Sequence, residues 1–254
     1  MRFIKAHCSG NDFIFIQGKS VKNTAEFVRK LSHRRFGVGA DGVVFYEPNR
    51  AKVLARYFNC DGSEADFCGD ALLTLGMLVQ NGVNTVSTRK GEFKFEKTHN
   101  LVRLEMPEPA SLKQMEVEGI TGYFLECGVP HFVTFADDLE KLDVQNLGQK
   151  IRYNELFGET GTNVEFIKVI KKDTLKLRVY ERGVEGETLG CGTGSVASAF
   201  VAHKLRLTSE KVKVLTPGGE TTVELGSKIF LCGTPIIVFE GELKEPIESS
   251  TERR

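Results

Sequence analysis

Short runs in which apolar and polar residues alternate recur along nearly the whole chain. Examples are RFIKAH, DFIFIQ, LVRLEM, NVEFIKVI and TTVEL, which are rich in β-branched or aromatic residues. A period of two residues is typical of half-buried strands. The sequence therefore predicts many short strands, several of them joined by turns.

Helical periodicity is confined to a few segments. Apolar spacing predicts helices over residues 24–34, 69–80 and 192–204 and a short helix over 146–153, the first capped by Asn23 or Thr24. Strands outnumber helices roughly three to one and do not alternate with them, which argues against a doubly wound parallel sheet. We expect an α+β fold in which curved, mostly antiparallel sheets are wrapped around a few central helices.

Two stretches share one pattern, SEADFCGDA at residues 63–71 and GETLGCGTG at residues 186–194. In each, a glutamate precedes a cysteine by four residues, a glycine follows the cysteine, and an apolar helical pattern comes next. The two cysteines, Cys68 and Cys191, lie about half the chain length apart. The repeat predicts two pseudo-symmetric domains whose equivalent loops face each other, although a chance match of so short a pattern stays open.

The stretch at 107–119 contains two prolines and is the best boundary between the domains. We expect a first domain at 1–115, with a returning strand at about 235–245, and a second domain at 116–234. The polar tail at 247–254 is expected to be frayed.

Composition narrows the function classes. The 34 basic and 34 acidic side chains give a formal net charge of zero, so no electrostatic feature indicates a nucleic acid or a membrane surface as partner. No apolar run reaches the ~18 residues of a spanning helix, and the N-terminal segment lacks the apolar core of a secretory signal. We therefore expect a cytoplasmic protein.

The six cysteines form no CxxC pair and no histidine cluster accompanies them, so a metal site is not expected. In a reducing compartment they should be free thiols. Cys8, Cys60, Cys127 and Cys232 are interpreted as small buried apolar residues. Glu64 and Glu187 are interpreted as caps of the helices that follow the two repeated cysteines.

A cysteine at a helix start lies beside unpaired backbone N–H groups and the positive end of the helix dipole, so its pKa should be lowered. The same N–H groups bind carboxylates. Two such helix starts that face each other across a carboxylate would favour one chemistry. One thiolate removes the proton from the carbon beside the carboxylate, the other thiol returns a proton from the opposite side, and the configuration inverts.

Motifs across nearly the whole chain resemble those of the diaminopimelate epimerase family, whose members work without pyridoxal phosphate. The resemblance rests on HCSGNDF at 7–13, RRFGVGADG at 34–42, NCDGSEADFCG at 59–69, GVPH at 128–131, TNVEF at 162–166 and ERGVEGETLGCGTGS at 181–195, with TPGGE at 216–220 as a weaker match. It implies an active site in the cleft between two similar domains. It further implies an amino-acid substrate, no cofactor and an LL- to meso-diaminopimelate epimerisation, and it is compatible with a homodimer.

Site residues follow from this resemblance position by position. Cys68 and Cys191 match the two acid/base cysteines, and His131 and Glu181 match the pair that tunes protonation at the reacting end. The backbone donors for the reacting carboxylate would be Gly69, Asp70, Gly192 and Thr193. The residues that would grip the distal amino-acid group are Asn11, Asn59, Asn163 and Arg182, whose planar fork suits a carboxylate.

Three departures from the family pattern bear on the substrate. The family usually has Gly-Asn-Gly-Ala-Arg after the first cysteine, whereas this chain reads Gly-Asp-Ala-Leu-Leu at 69–73; Gly42 stands where many members have Gln, and Val129 where many have Asn. Two interpretations of Asp70 stay open. Its ionised carboxylate would repel the substrate and raise the pKa of Cys68, or it is an acidic residue placed favourably in a first helical turn.

Three other functions are suggested by the sequence: a methyltransferase, a racemase for another amino acid and an amino-acid-binding protein. The LGCGTG stretch also resembles the glycine loop of S-adenosylmethionine methyltransferases, but a polar segment precedes it and too little chain follows to build the sheet. A related racemase for lysine or histidine, and a homologue that binds an amino acid without turnover, both remain open.

Overall fold

The computed structural model describes residues 1–80 and 84–244; the predicted frayed tail lies outside the described residues. The α+β prediction is confirmed, because four α-helices lie among eighteen strands in this part of the chain, and most strand pairings are antiparallel. None of the described helices is long and apolar enough to cross a membrane.

The first half of the chain holds nine strands and two helices. In order they are β1 Arg2–Cys8, β2 Asn11–Gln17, α1 Thr24–Ser32, β3 Gly42–Asn49, β4 Lys52–Asn59, β5 Glu64–Ala65, α2 Gly69–Leu78, β6 Thr85–Thr88, β7 Gly91–Thr98, β8 Leu101–Glu105 and β9 Ala110–Val117. The second half repeats the sequence of elements with β10 Ile120–Cys127, β11 Val129–Phe135, α3 Val144–Arg152, β12 Asn163–Lys171, β13 Thr174–Glu181, β14 Gly186–Thr188, α4 Gly192–Lys204, β15 Lys211–Thr216, β16 Gly219–Leu225, β17 Ile229–Gly233 and β18 Ile236–Glu242.

The two halves also repeat one pattern of strand pairing. β2 runs parallel to β3 and β4 to β6, just as β11 runs parallel to β12 and β13 to β15. The short strands β5 and β14 pair antiparallel with the equivalent strands β4 and β13. β8 and β17 pair antiparallel and join the halves. The pairing therefore has the internal repeat that the two cysteine stretches predict.

The halves exchange one strand each. β9 follows β8 but pairs antiparallel with β10 of the second half, and β18 follows β17 but pairs antiparallel with β1 of the first half. The stretch at 107–119, predicted as the boundary, is where the chain crosses between the halves, and residues 110–117 of it form strand β9. The exact domain bounds remain a prediction.

Helices α2 and α4 are buried between the strands that surround them. Every residue of Gly69–Gly76 is buried, as are ten of the thirteen residues of α4. Helices that are apolar on all sides belong in a core, and here α2 contacts β1, β2, β7, β8 and β17 while α4 contacts β10–β13, β15 and β16. The predicted bounds of α4 are confirmed, whereas α2 ends two residues early because Val79 is extended.

The two peripheral helices also differ slightly from their predicted spans. α1 ends at Ser32 because His33 is extended, and its N-cap Asn23 makes no side-chain cap bond. α3 begins two residues before its predicted start, where the Asp143 side chain accepts from the N–H of Asn146. Such a side-chain cap fixes a helix start more strongly than apolar spacing does.

Candidate active site

Cys68 and Cys191 occupy equivalent places at the starts of α2 and α4. Both are N-cap residues with nearly the same extended backbone, φ −143° and ψ 111° for Cys68 and φ −141° and ψ 119° for Cys191. Both line one cleft between the halves. A Cβ added to Gly69 would lie 3.6 Å from the backbone nitrogen of Thr193, so the two helix starts lie close together.

The cleft is small and lined by the predicted site residues. Its volume is about 180 Å³, below the range typical of sites for drug-sized ligands, which suits a small molecule. Eleven of the twelve predicted site residues contribute to its wall: Asn11, Asn59, Cys68, Gly69, Asp70, Asn163, Glu181, Arg182, Cys191, Gly192 and Thr193. Among the described residues, no group of three or more potential ligands is arranged to hold a metal ion.

The pKa values of the two thiols are shifted in the direction opposite to the prediction. Burial, and then the nearby Asp70 carboxylate, raise the pKa of Cys68. Burial, and then Glu181, Glu165 and Asp70, raise the pKa of Cys191 well above its usual range. The predicted lowering is therefore wrong for the protein without substrate, because dehydration and neighbouring carboxylates outweigh the helix dipole. The dipole does act, since the N–H of Gly194 donates to Cys191 Sγ at 3.4 Å.

Asp70 extends from the first turn of α2 to the start of α4. Its Oδ2 accepts from the backbone N–H of Gly192 at 2.8 Å and from Asn11 Nδ2 at 3.2 Å. The side chain is buried, and this burial raises its pKa to about 6. Asp70 thus combines parts of both interpretations from the sequence: it lies in the first turn of α2 while its carboxylate reaches the start of α4, and it raises the pKa of Cys68. Repulsion of a substrate stays a prediction.

Glu181 lines the cleft, whereas His131 is buried outside its wall. Glu181 accepts from Thr188 Oγ1 at 2.9 Å, and burial raises its pKa to about 8. His131 is fully buried and is not part of the cleft wall. Its Nδ1 lies 2.7 Å from Oε1 of the equally buried Glu165, whose charge acts on Cys191. His131 is thus linked to that thiol through its contact with Glu165.

Glu165 is a site residue that the sequence reasoning missed, although it belongs to the TNVEF motif. A Cβ on Gly194 would lie 2.7 Å from Glu165 Oε1 and 3.2 Å from Cys191 Cβ, so the carboxylate lies directly behind the start of α4. Within the described residues, Glu165 Oε2 and His131 Nε2 have no hydrogen-bond partner. The pair therefore places two polar atoms without partners in a dry region next to a cysteine, and burial raises the pKa of Glu165.

Arg182, Asn163 and Asn59 also line the cleft. Arg182 is half-buried, and this burial lowers its pKa. Asn163 is committed to the backbone, since its Oδ1 accepts from the N–H of Arg182 at 2.9 Å and its Nδ2 donates to the carbonyl of Pro130. The predicted role of Asn163 as a direct grip stays a prediction, but its observed role is to hold Arg182 in place.

The departures from the family pattern have separate physical accounts. Gly42 leaves room for an aromatic ring, because a Cβ there would lie 2.4 Å from Cε2 of Tyr57. Tyr57 lines the cleft, and its hydrogen bond with Cys68 lowers the pKa of that thiol against the effect of burial. Val129 adds an apolar side chain to the wall, whereas Leu73 is buried in the core and is not part of the cleft.

The predicted capping role of Glu64 and Glu187 is wrong. Glu64 forms a two-pronged pair with Arg56 on the neighbouring strand at 2.8 Å, and Glu187 forms the equivalent pair with Arg178 at 2.7 and 2.8 Å. Each glutamate lies on a short strand, where cross-strand partners are nearer than the helix start.

The four remaining cysteines are mostly where they were expected. Cys8, Cys127 and Cys232 are buried, while Cys60 is half-buried, and all six cysteines are free thiols. The pKa of each of these four thiols is raised, and burial is the largest cause in each case. They therefore behave as small apolar residues, with Cys60 as the partial exception.

Two similar half-sheets, each around a buried helix that starts at a cysteine, are the fold and site that the resemblance to two-cysteine amino-acid epimerases predicts. A family model described as diaminopimelate epimerase matches residues 3–111 and 123–237. The chain belongs to the diaminopimelate epimerase family. It is 42% identical to a diaminopimelate epimerase of Archaeoglobus fulgidus over 95% of this chain and 96% of the relative. It is 38% identical to one of Aquifex aeolicus over 97% of this chain and 99% of the relative.

Solved structures share the fold at much lower sequence identity. A phenazine biosynthesis protein of the PhzF family from Enterococcus faecalis superposes with a TM-score of 0.72 at 16% identity, over 95% of this chain and 98% of that one. A hydroxyproline epimerase from Agrobacterium vitis, with bound trans-4-hydroxy-L-proline, gives a TM-score of 0.64 at 16% identity, over 95% and 91%. These similarities bear on the fold alone.

Proposed function

We propose that the protein is an isomerase that interconverts LL- and meso-2,6-diaminopimelate by proton transfer between Cys68 and Cys191, in lysine and peptidoglycan synthesis. The observation that carries the proposal is the pair of cysteine-capped helix starts that share one small cleft. Family membership supports the substrate. No cofactor takes part in the proposed reaction.

The α-carboxylate of the substrate binds between the helix starts, at the amides of Gly69, Asp70, Gly192 and Thr193. A helix N-terminus provides unpaired N–H groups and a favourable potential for a carboxylate. As the α-proton leaves, negative charge spreads onto the carboxylate oxygens. Fixed amides directed at those oxygens stabilise this charge, as an oxyanion hole does.

Inversion needs one ionised and one neutral cysteine on opposite sides of the α-carbon. Both thiols have raised pKa values, so a base must take a proton from one of them. Glu181 is the candidate base next to Cys191, because it is hydrogen-bonded to that cysteine and burial raises its pKa to about 8, which makes its ionised form a stronger base than an exposed carboxylate. Tyr57 supports the thiolate of Cys68 by a hydrogen bond.

Arg182 favours a substrate whose second end carries a carboxylate. This residue lines the cleft, is half-buried, and has its backbone N–H held by Asn163. A planar guanidinium binds a carboxylate through two parallel bonds. Lysine and histidine would bring a cation or an imidazole to this guanidinium, so we rank a lysine or histidine racemase below the epimerase.

The test is incubation of enantiomerically pure LL-diaminopimelate in deuterium oxide without added cofactor. We expect conversion to the meso form and uptake of one deuteron at the inverted carbon. Cys68→Ser and Cys191→Ser should each abolish conversion, and Cys60→Ser, which removes a half-buried thiol outside the cleft wall, is the matched control. Unchanged conversion in either of the first two variants would reject the two-base scheme.

A protein that binds amino acids without turnover would behave differently in the same assay. It would bind diaminopimelate but would exchange no α-hydrogen with solvent. A panel of pure L-amino acids, including lysine and histidine, then distinguishes the substrates, because loss of optical purity should occur with diaminopimelate alone.

We also propose a cytoplasmic location, because catalytic thiols need a reducing compartment, and a homodimer formed through β18. Four consecutive apolar residues of this strand are about half exposed, namely Ile236, Ile237, Val238 and Phe239. One edge of β18 pairs with β1, and within the described residues no strand pairs with its other edge. Sedimentation should give a dimer that Val238→Lys converts to a monomer; a wild-type monomer at micromolar concentration would contradict this.

A further inference from the structure

One carboxylate already occupies the start of α4. The Asp70 side chain is 3% exposed, and its Oδ2 lies 2.8 Å from the backbone nitrogen of Gly192. This contact joins the first half of the chain to the second. It depends on a glycine at the donor position, because a Cβ on Gly192 would lie 2.8 Å from Asp70 Oδ1.

The occupied amide is one of those that the proposed function assigns to the substrate. The N–H of Gly192 points at the Asp70 carboxylate, so it cannot at the same time donate fully to a substrate carboxylate. Asn11, expected from the resemblance to grip the distal end, instead donates to the same oxygen of Asp70. The Asp70 carboxylate therefore occupies a position at which the proposed function places a carboxylate of the substrate.

Apart from the amide of Asn11, the side chains on which the Asp70 charge acts are three thiols and one carboxyl group from four different elements. Cys8 lies on β1, Cys68 caps its own helix, Glu181 ends β13 and Cys191 caps α4, and the Asp70 charge raises the pKa of each of these four groups. A substrate carboxylate would add another negative charge to this dehydrated cluster. Like charges at close range in such a site cannot all remain ionised.

We propose that Asp70 is a built-in occupant of the substrate's carboxylate site and takes up one proton from water when the substrate's carboxylate replaces it at the Gly192 amide. The inference rests on the proposed function, because that function places a carboxylate there. In this account Asp70 makes substrate binding dependent on pH. Once neutral, its carboxyl group no longer repels the substrate and no longer opposes ionisation of Cys68.

The pKa of Asp70, raised to about 6 by burial, sets the size of the effect. At pH 7 the free protein carries this group about nine-tenths ionised, so binding should take up close to one proton. Above pH 6 the apparent affinity should fall about tenfold for each pH unit. Below pH 5 the dependence should vanish, because Asp70 is then already neutral.

The experiment is calorimetric titration with an equilibrated mixture of LL- and meso-diaminopimelate, in which turnover makes no net heat. Titrations at pH 7 in buffers with different ionisation enthalpies give the number of protons taken up. Wild type should take up about one proton more than Asp70→Asn, and the variant should bind about tenfold more tightly at this pH. Asp66→Asn is the matched control, because Asp66 is an exposed residue two positions before Cys68; it should take up as many protons as wild type.

The outcomes separate this inference from the proposed function. If wild type epimerises diaminopimelate but takes up no more protons than Asp70→Asn, only the inference is overturned. If Asp70→Asn loses affinity, the carboxylate is a necessary ligand group and the inference is likewise overturned. If wild type neither binds nor epimerises diaminopimelate, the proposed function fails and the inference fails with it.

Discussion

Replacing Asp70 with asparagine should stabilise the folded protein at neutral pH. The group is buried, and its pKa rises from the usual 3.8 to about 6 on folding, mainly through that burial. Because the folded state holds this proton more tightly than the unfolded state, the stabilisation is present below pH 4 and is lost as the pH rises through 6. The loss amounts to about 3 kcal/mol at pH 7.

Urea unfolding of wild type and Asp70→Asn at pH 4 and pH 7 measures this loss. Asparagine keeps an oxygen that can accept from Gly192 and Asn11 but carries no charge, so the two proteins should have similar unfolding free energies at pH 4. At pH 7 the variant should be more stable by up to about 3 kcal/mol. Asp66→Asn, which removes an exposed carboxylate, should change stability little and equally at both pH values. An Asp70→Asn protein no more stable than wild type at pH 7 would refute the reasoning.

Three further predictions concern residues around the cysteines. Tyr57→Phe removes the phenol that supports the thiolate of Cys68, so kcat should fall by about 10- to 100-fold, with KM little changed and the acidic limb of the pH profile moved upwards; a kcat within twofold of wild type would contradict it. Glu165→Leu leaves the buried Nδ1 of His131 without its partner and should cost about 1–3 kcal/mol in urea unfolding, with Glu165→Gln costing clearly less. Gly42→Ala places a Cβ 2.4 Å from the Tyr57 ring and should cost about 1–3 kcal/mol, whereas Gly226→Ala, with its nearest atom 3.7 Å away, should cost much less.

The local elements follow from the sequence because their causes are local. The start of α4 at Gly192 was predicted to the residue, since a glycine follows a cysteine there and small apolar residues continue the helix. Alternating residues gave the strands for the same reason, because a half-buried strand needs only a period of two. The repeated pattern around Cys68 and Cys191 also predicted that the chain contains the same unit twice.

Long-range pairing was predicted only in part. The sequence predicted that a strand at about 235–245 returns to the first half, and β18 confirms this by pairing with β1. The equivalent transfer of β9 to the second half was missed, because its partner β10 cannot be identified from local pattern. Glu64 and Glu187 were predicted as caps because sequence distance to the helix is short, but cross-strand arginines are closer in space.

The sequence by itself determined that two cysteines stand at two helix starts and, through its motifs, which family the chain belongs to. Only the tertiary structure decided the electrostatics of the cleft. The pKa of each cysteine depends on burial by segments from both halves, and the contact between Asp70 and Gly192 spans 122 positions of the chain. The effect of Asp70 on Cys68 could be expected from their closeness along the chain. Burial and the charges of Glu181 and Glu165 act on Cys191 through space, so neighbouring residues could not reveal them.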